Sequence, residues 1–376
     1  MTAQTAPKSD DSKKKSGAAL TPKTAKKSAY EATPMPRETD AHVKKKKNTK
    51  ILVILTGGTI GSEVHDHVID TTKATSAAVI DAYRKETGRH DEFEVIEPFT
   101  VLSENFTLHE WEVLLKTIHK ADLKKYKGCI ITHGSDTMSY SAALFGELLY
   151  GLLPCPVVFI SANAPVGEKN SNAVTNFRAA IDYINSPDSF PGIFAVATND
   201  NKESQLFKGE ELMEADGVKG NFTAFGGESF GTIKDGVFVR NPKHQDHCLP
   251  IIPDYMRAAF FEHDLTFGGE VLMIRPYVGM NFHNFTLTHS TKAVVIYTYH
   301  SGTFCTKGEG TALQFFARMC GKAGIPVYLA GGPDAKTARY ASETAADGLP
   351  VTVLSDFSPE AAYAAVMLRE TARIEY

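Results

Sequence analysis

The sequence predicts an α/β protein of two domains built on mostly parallel sheets, preceded by a disordered basic tail. Short β-branched apolar runs repeatedly end in Gly-rich or polar loops, as in KILVILTGGTIG from Lys50 and GCIITHGSDTM from Gly128. Stretches with helical spacing alternate with these runs, and such alternation implies parallel strands whose sites lie at their carboxyl ends. A sharp change of composition near residue 48 separates the tail from the body.

The first strand is ILVIL, buried on both faces and delivering its loop at the carboxyl end. GCIIT, PVVFI and GIFAVAT repeat the pattern. Helices are expected over residues 75–87, 107–121, 139–151 and 172–184, the second presenting Trp111, Leu114 and Leu115 on one face. GESFGTIKDGVFVRNP reads as a hairpin turning at Lys234, Asp235 and Gly236. Residues 241–268 lose periodicity and gather Pro242, Pro250 and Pro253, so they read as a linker, with one helix available over 255–263. From Glu270 the alternation resumes in EVLMIRPY, AVVIYTYHSG, IPVYLAGG and LPVTVLSD, with helices over 312–323 and 359–369. The expected domains are thus 49–240 and 269–376.

The chain carries 40 Lys and Arg against 44 Asp and Glu, a net charge of -4. Residues 1–48 hold twelve basic and five acidic residues, so a tail of +7 precedes a body of -11. With one aromatic residue and no repeated apolar spacing, the tail cannot offset its chain entropy and is expected to be disordered. It lacks the apolar run of a secretory signal. Lys clusters at 13–15 and 44–47 suit an acidic surface or a nucleic acid, although a solubilising extension explains them as well. No run of about 18 apolar residues exists to span a membrane. Five cysteines without a CxxC pair fit a reducing, cytoplasmic setting. His244 and His247 come nearest to metal-ligand spacing, but in a linker context, so no metal is expected.

The chemistry concentrates in two loops. Thr56-Gly57-Gly58-Thr59-Ile60-Gly61 combines a tight turn with a hydroxyl beside backbone N–H donors, and lacks the spacing of a phosphate-binding loop. The loop after GCIIT supplies a second hydroxyl, Ser135, followed by Asp136. Two hydroxyls and a carboxylate on neighbouring strand ends need only a base, most economically a lysine of lowered pKa, to hydrolyse an amide.

TGGTIG at 56–61 with THGSDTM at 132–138 resembles the paired signatures of the bacterial-type L-asparaginase/glutaminase family. The resemblance continues through LSENFTLHEW, NSNAVTNF, GEELMEADGVKGNFTAF and PVYLAGG, covering roughly 49–376. It implies a larger N-terminal and a smaller flavodoxin-like C-terminal α/β domain. It also implies Thr59 as the nucleophile, with Ser135, Asp136 and Lys219 as a second catalytic cluster. Ser135 stands where the family usually has Thr. Ser103 and Glu104 match positions that hold the substrate's α-carboxylate and α-amino group, and Asp136 would also grip the latter. Gly58 and Gly134 belong to the substrate-binding loops, with backbone N–H groups near Thr59 and Ser135 as the oxyanion hole.

The implied reaction is double displacement on L-asparagine through a threonine ester, without a cofactor, in a homodimer or homotetramer. Three departures from the family stand out. The loop after Thr59 has no Tyr, leaving His65, His67 or Lys219 to activate the nucleophile. SANAPVGEKNSNA lacks the usual Arg-Pro, and Asn172 replaces a frequent Asp. YHSGTFCT places His300, Ser301 and Thr303 where the family reaches a neighbouring subunit's site. Two further readings stand beside asparaginase. One is the ammonia-generating D subunit of an archaeal-type tRNA-dependent amidotransferase, against which the polar tail argues. The other is a catalytically silent binding protein, with nucleic-acid contact by the tail.

Overall fold

The structure is a computed structural model describing residues 48–61, 63–65, 68–70, 78–200, 202–263, 265–331 and 339–375, without side chains at 63–65, 68–70 and 373–375. These belong to one compact unit, Ala32–Tyr376. The tail and its Lys clusters, His67, the His65 side chain and the expected helix start at 75–77 lie outside the described residues and side chains.

The first sheet is built on β1 (Ile51–Ile54), every residue of which is buried. After it come a hairpin, β2 (Glu63–His65) with β3 (Val68–Asp70), and then the edge strand β4 (Phe93–Ile96). Next along the chain are β5 (Gly128–Thr132), β6 (Pro156–Ile160), β7 (Gly192–Thr198), β8 (Ser204–Lys208), β9 (Gly231–Lys234) and β10 (Val237–Arg240). The spatial order is β10-β9-β8-β7-β6-β5-β1-β4. The five strands from β7 to β4 are parallel, and β8 to β10 add antiparallel. The β9–β10 turn falls where expected, because Asp235 (φ 51°) and Gly236 (φ 79°) take the left-handed conformations of a two-residue hairpin. The sequence reading missed β4 and β8. Both are short; β4 (FEVI) lies half-exposed at the sheet edge, and β8 (SQLFK) has only two apolar residues among polar ones.

Helices α1 (Ala78–Thr87) and α4 (Ala173–Asn185) pack on one face of this sheet, and α2 (Leu108–Ala121) and α3 (Met138–Leu149) on the other. A capping box between Thr107 and Glu110 starts α2, whose Trp111, Leu114, Leu115 and Ile118 face the core. Asp136 does not cap α3. That position belongs to Thr137, whose hydroxyl donates instead to the Ser103 carbonyl (3.0 Å).

Residues 241–268, read as a linker, are packed rather than loose. They contain α5 (Asp254–Glu262) and bury Cys248, Ile252, Phe260, Leu265 and Phe267. The second sheet follows, wholly parallel in the order β11 (Glu270–Ile274), β12 (Thr291–Tyr297), β13 (Val327–Ala330), β14 (Val351–Leu354). With it come α6 (Leu313–Lys322), α7 (Ala341–Thr344) and α8 (Pro359–Glu375). One apolar cluster runs from the first sheet through α3 and α8 into the second sheet. The alanines of α8, Ala361, Ala362, Ala364 and Ala365, let that helix lie close against α3.

This arrangement buries nearly all of α3, including the carboxyl of Glu147, whose Oε1 accepts the N–H groups of Ile251 and Ile252 at 2.8 and 2.7 Å. Burial raises the Glu147 pKa to about 7. A raised folded-state pKa gives stability that is full below about pH 4.5 and falls as pH rises through about 7. Glu147→Gln keeps an acceptor for both N–H groups and removes the charge. It is expected to raise the melting temperature at pH 8.5 relative to the parent and to give a smaller gain at pH 4.5. Equal gains at both pH values in thermal unfolding would contradict this account.

Candidate active site

Strand β1 has β4 on one side and β5 on the other, so the chain reverses direction across the sheet at the β1/β5 crevice. Ligands bind at such a switch point, outside the carboxyl ends of the strands. The two hydroxyl loops leave β1 and β5 here. Their strand ends are held together by Thr56, whose Oγ1 donates to the Thr132 carbonyl (2.6 Å) while its N–H donates to Thr132 Oγ1 (3.2 Å). Gly57 bridges Val101, and the Gly58 N–H donates to the Val101 carbonyl (3.0 Å), so the segment carrying Ser103 lies against the first loop.

The loops touch backbone to backbone. Gly58 has φ 75°, and a Cβ there would lie 2.5 Å from the Gly134 nitrogen. A Cβ on Gly134 would lie 2.3 Å from Ser103 Oγ. One residue beyond this contact on each loop stand Thr59, half-buried in the short 3-10 turn Thr59–Gly61, and Ser135. Ser103, buried, donates its hydroxyl to Asp136 Oδ2 (3.1 Å). Gly58, Ser103, Gly134 and Asp136 therefore meet in one place, with Thr59 and Ser135 beside them. Glu104 does not join them. It is exposed in the turn Ser103–Asn105.

Ser135 and Asp136 open onto a cavity of about 470 Å³ whose far side is formed by β6, β7 and the 214–222 loop. Four asparagines on its wall are engaged in building it. Asn163 and Asn172 each accept the other's backbone N–H with their side-chain oxygens (3.0 and 2.9 Å), and Asn172 Nδ2 donates to the Thr198 carbonyl (3.0 Å). Asn176 joins Ser161 to Thr198, and Asn199 ties Gln205 to both backbone groups of Phe222. Where the family often has Asp, Asn172 thus acts as a backbone clamp, because its amide offers a donor and an acceptor together and an ionised carboxylate offers only acceptors.

Lys219 lines the same cavity but lacks the lowered pKa expected of a base. Its Nζ lies 3.0 Å from Asp200 Oδ2, and that hydrogen bond raises the lysine pKa. The lysine sits on a tight turn held by Asp216, whose carboxylate accepts the N–H groups of Val218, Lys219 and Asn221 (3.0, 2.7 and 3.0 Å). These hydrogen bonds, that from Lys219 first, hold the Asp216 carboxyl below its usual range.

Two groups that the sequence reading did not single out matter here. Glu214 lines the cavity, with its carboxylate held by the Tyr140 hydroxyl (2.8 Å) and Arg275 (3.2 Å). His133, fully buried, pairs Nδ1 with the Gly134 carbonyl (2.9 Å) and Nε2 with Ser141 Oγ (2.8 Å), which also accepts from Trp111 Nε1 (2.8 Å). Burial lowers its pKa to about 4, so it is a neutral brace for the Gly134 peptide rather than a base. The role of Glu214 has no signal in spacing or composition, since its partners lie far along the chain, and that of His133 depends on its burial.

His300, Ser301 and Thr303 form a turn after β12, closed by the Tyr299 N–H donating to the Thr303 carbonyl (3.0 Å). They do not line the cavity of their own chain. Among the described residues, Glu211, His244 and Asp246 group as metal ligands would. His244 Nε2 contacts Glu211 (2.7 Å), and Lys208 already supplies a positive charge at the exposed Asp246.

Residues 50–241 match the sequence model for the asparaginase N-terminal domain. Over 138 residues the chain is 34% identical to the glutamyl-tRNA(Gln) amidotransferase D subunit of Archaeoglobus fulgidus, covering 37% of this chain and 32% of that protein. Over 149 residues it is 30% identical to an L-asparaginase of Thermococcus kodakarensis, covering 39% of this chain and 43% of that protein. The chain thus matches less than half the length of these curated relatives. Two solved structures share its fold. The thermostable L-asparaginase from Thermococcus kodakarensis superposes with a TM-score of 0.66 at 19% identity, over 86% of this chain and 96% of that one. A probable cytoplasmic L-asparaginase from Campylobacter jejuni gives 0.64 at 18%, over 86% and 95%. The matched region spans more than half of the sequence and includes both hydroxyl loops, and on that ground the chain belongs to the asparaginase family.

Proposed function

We propose that the chain hydrolyses the side-chain carboxamide of L-asparagine to L-aspartate and ammonia through an ester on Thr59. The observation that carries this reading is the backbone contact of Gly58 with Gly134, which sets the two hydroxyl loops side by side, the second of them opening onto the cavity at Ser135 and Asp136. Thr59 Oγ attacks the carboxamide carbon, and its proton passes by way of the Ser135 hydroxyl to the departing nitrogen. Water then cleaves the ester, returning the proton to Thr59. Each tetrahedral intermediate carries an oxyanion, for which N–H groups of the two loops are the nearest fixed donors. No protein-bound cofactor enters either step.

The Asp200 pair keeps Lys219 an ammonium, so in this mechanism it supplies positive charge and accepts no proton. Asp136, oriented by Ser103, binds the substrate's ammonium. His300, Ser301 and Thr303 would complete such a site only from a second copy of the chain, in a homodimer or homotetramer. A second reading is an ammonia-generating component for tRNA-dependent amidation, supported by the 34% identity to the amidotransferase D subunit of Archaeoglobus fulgidus.

Purified protein is expected to release ammonia from free asparagine, with Thr59→Ala lowering turnover by about 100-fold or more. A parent silent towards both asparagine and glutamine would end the amidohydrolase reading. Activity that appears only with a tRNA-amidating partner would favour the second reading. A charge role for Lys219 predicts that Lys219→Arg keeps most of the activity while Lys219→Gln loses about tenfold, because arginine retains charge and cannot act as a base. Equal loss in both variants would restore the lysine to proton transfer.

A further inference from the structure

We infer that Glu214 is a specificity-determining residue of this site, its carboxylate receiving the ammonium of an amino-acid ligand in the cavity. The inference rests on the amino-acid substrate proposed above and adds a residue to it. Glu104, the position expected to help bind that ammonium, is exposed and, like Thr59 and Ser103, is not part of the cavity wall, whereas Glu214 is.

Among the described residues the cavity wall has four charged side chains, Asp136, Glu214, Asp216 and Lys219. Asp216 is occupied by three backbone N–H groups, and Lys219 is paired with Asp200. That leaves Asp136 and Glu214 to face a ligand. Glu214 is built for the task in a way that a surface carboxylate is not. Tyr140, one helical turn beyond Asp136, donates to Oε1 (2.8 Å), and Arg275, just past β11, donates to Oε2 (3.2 Å). The Glu214 backbone N–H is taken by Glu360 Oε1 (2.9 Å), at the start of α8. Residues of α3, of α8 and just past β11 thus hold Glu214, while its side chain remains 39% exposed. Each carboxylate oxygen can accept two hydrogen bonds. One on each is used by its holder, and one on each is left for a ligand.

Lys219 and Arg275 are each paired with a carboxylate, Asp200 and Glu214, so the acidic groups at the cavity, with Asp136 and Asp216, outnumber the basic ones and suit it to a positive group. A charge-assisted hydrogen bond to an ammonium is among the stronger polar contacts available.

L-Aspartate and succinate differ only by the ammonium, and their binding can be measured by calorimetry without turnover. The parent is expected to prefer aspartate by about tenfold or more. Glu214→Gln should lose most of that preference while binding succinate at least as well as the parent does. Tyr140→Phe keeps the charge and removes one holder, so it should retain part of the preference even if the glutamine variant folds poorly. Glu214→Gln weakening both ligands equally, or keeping the parent's preference, would overturn the inference, since a clamp between the two sheets would behave that way. A parent that prefers aspartate but releases no ammonia from asparagine would defeat the hydrolytic reading and leave Glu214 in place.

Discussion

The contact on which the site depends is the backbone approach of Gly58 to Gly134. No side chain fits at either position, and the left-handed φ of Gly58 is one that glycine adopts without steric cost. Two loops from adjacent parallel strands would otherwise diverge with the sheet twist. Here they are drawn into van der Waals contact, so the residues that follow, Thr59 and Ser135, stand on either side of that contact. Ser103 closes the third side, reached through the Val101 hydrogen bonds and fixed on Asp136. His133 fixes the carbonyl of Gly134 from below.

A second constraint is the burial of α3 between two sheets. It begins directly after the Ser135–Asp136 loop, so its placement positions that loop. Its neighbours carry charge into the interior. Glu147 receives the backbone of residues 251–252, and Glu211 receives His244 together with the N–H of His247. His247 in turn contacts Asp356 at 2.7 Å, just after β14. A buried pair such as His244 with Glu211 adds little net stability over apolar packing, but removing one partner is costly. These contacts specify one docking geometry, and Arg275 and Glu360 extend it to the cavity wall at Glu214.

Much of the fold was legible because apolar runs such as ILVI and PVVFI are buried on every residue, leaving periodicity little ambiguity. Strands β4 and β8 were not, since an edge or antiparallel strand of four or five residues needs few apolar side chains. The segment 241–268 misled for a different reason. Its prolines and lost periodicity describe an irregular backbone, yet Cys248, Ile252 and Phe267 are buried in the core, and irregular chain can pack as tightly as helix.

Local chemistry was written in the chain: a hydroxyl after each of two strands, glycines where the backbone must turn, a carboxylate beside the second hydroxyl. Those features act over a few residues and leave a mark in composition and spacing. Electrostatic roles did not. Lys219 reads as a base in its motif, but Asp200, nineteen residues away, raises its pKa through a hydrogen bond where a base calls for a lowered one. Glu214 reads as an ordinary acidic residue until Tyr140 and Arg275 arrive from positions 74 residues before and 61 residues after it. Charge state and orientation depend on neighbours brought together by packing, and the folded arrangement of the two sheets selects those neighbours.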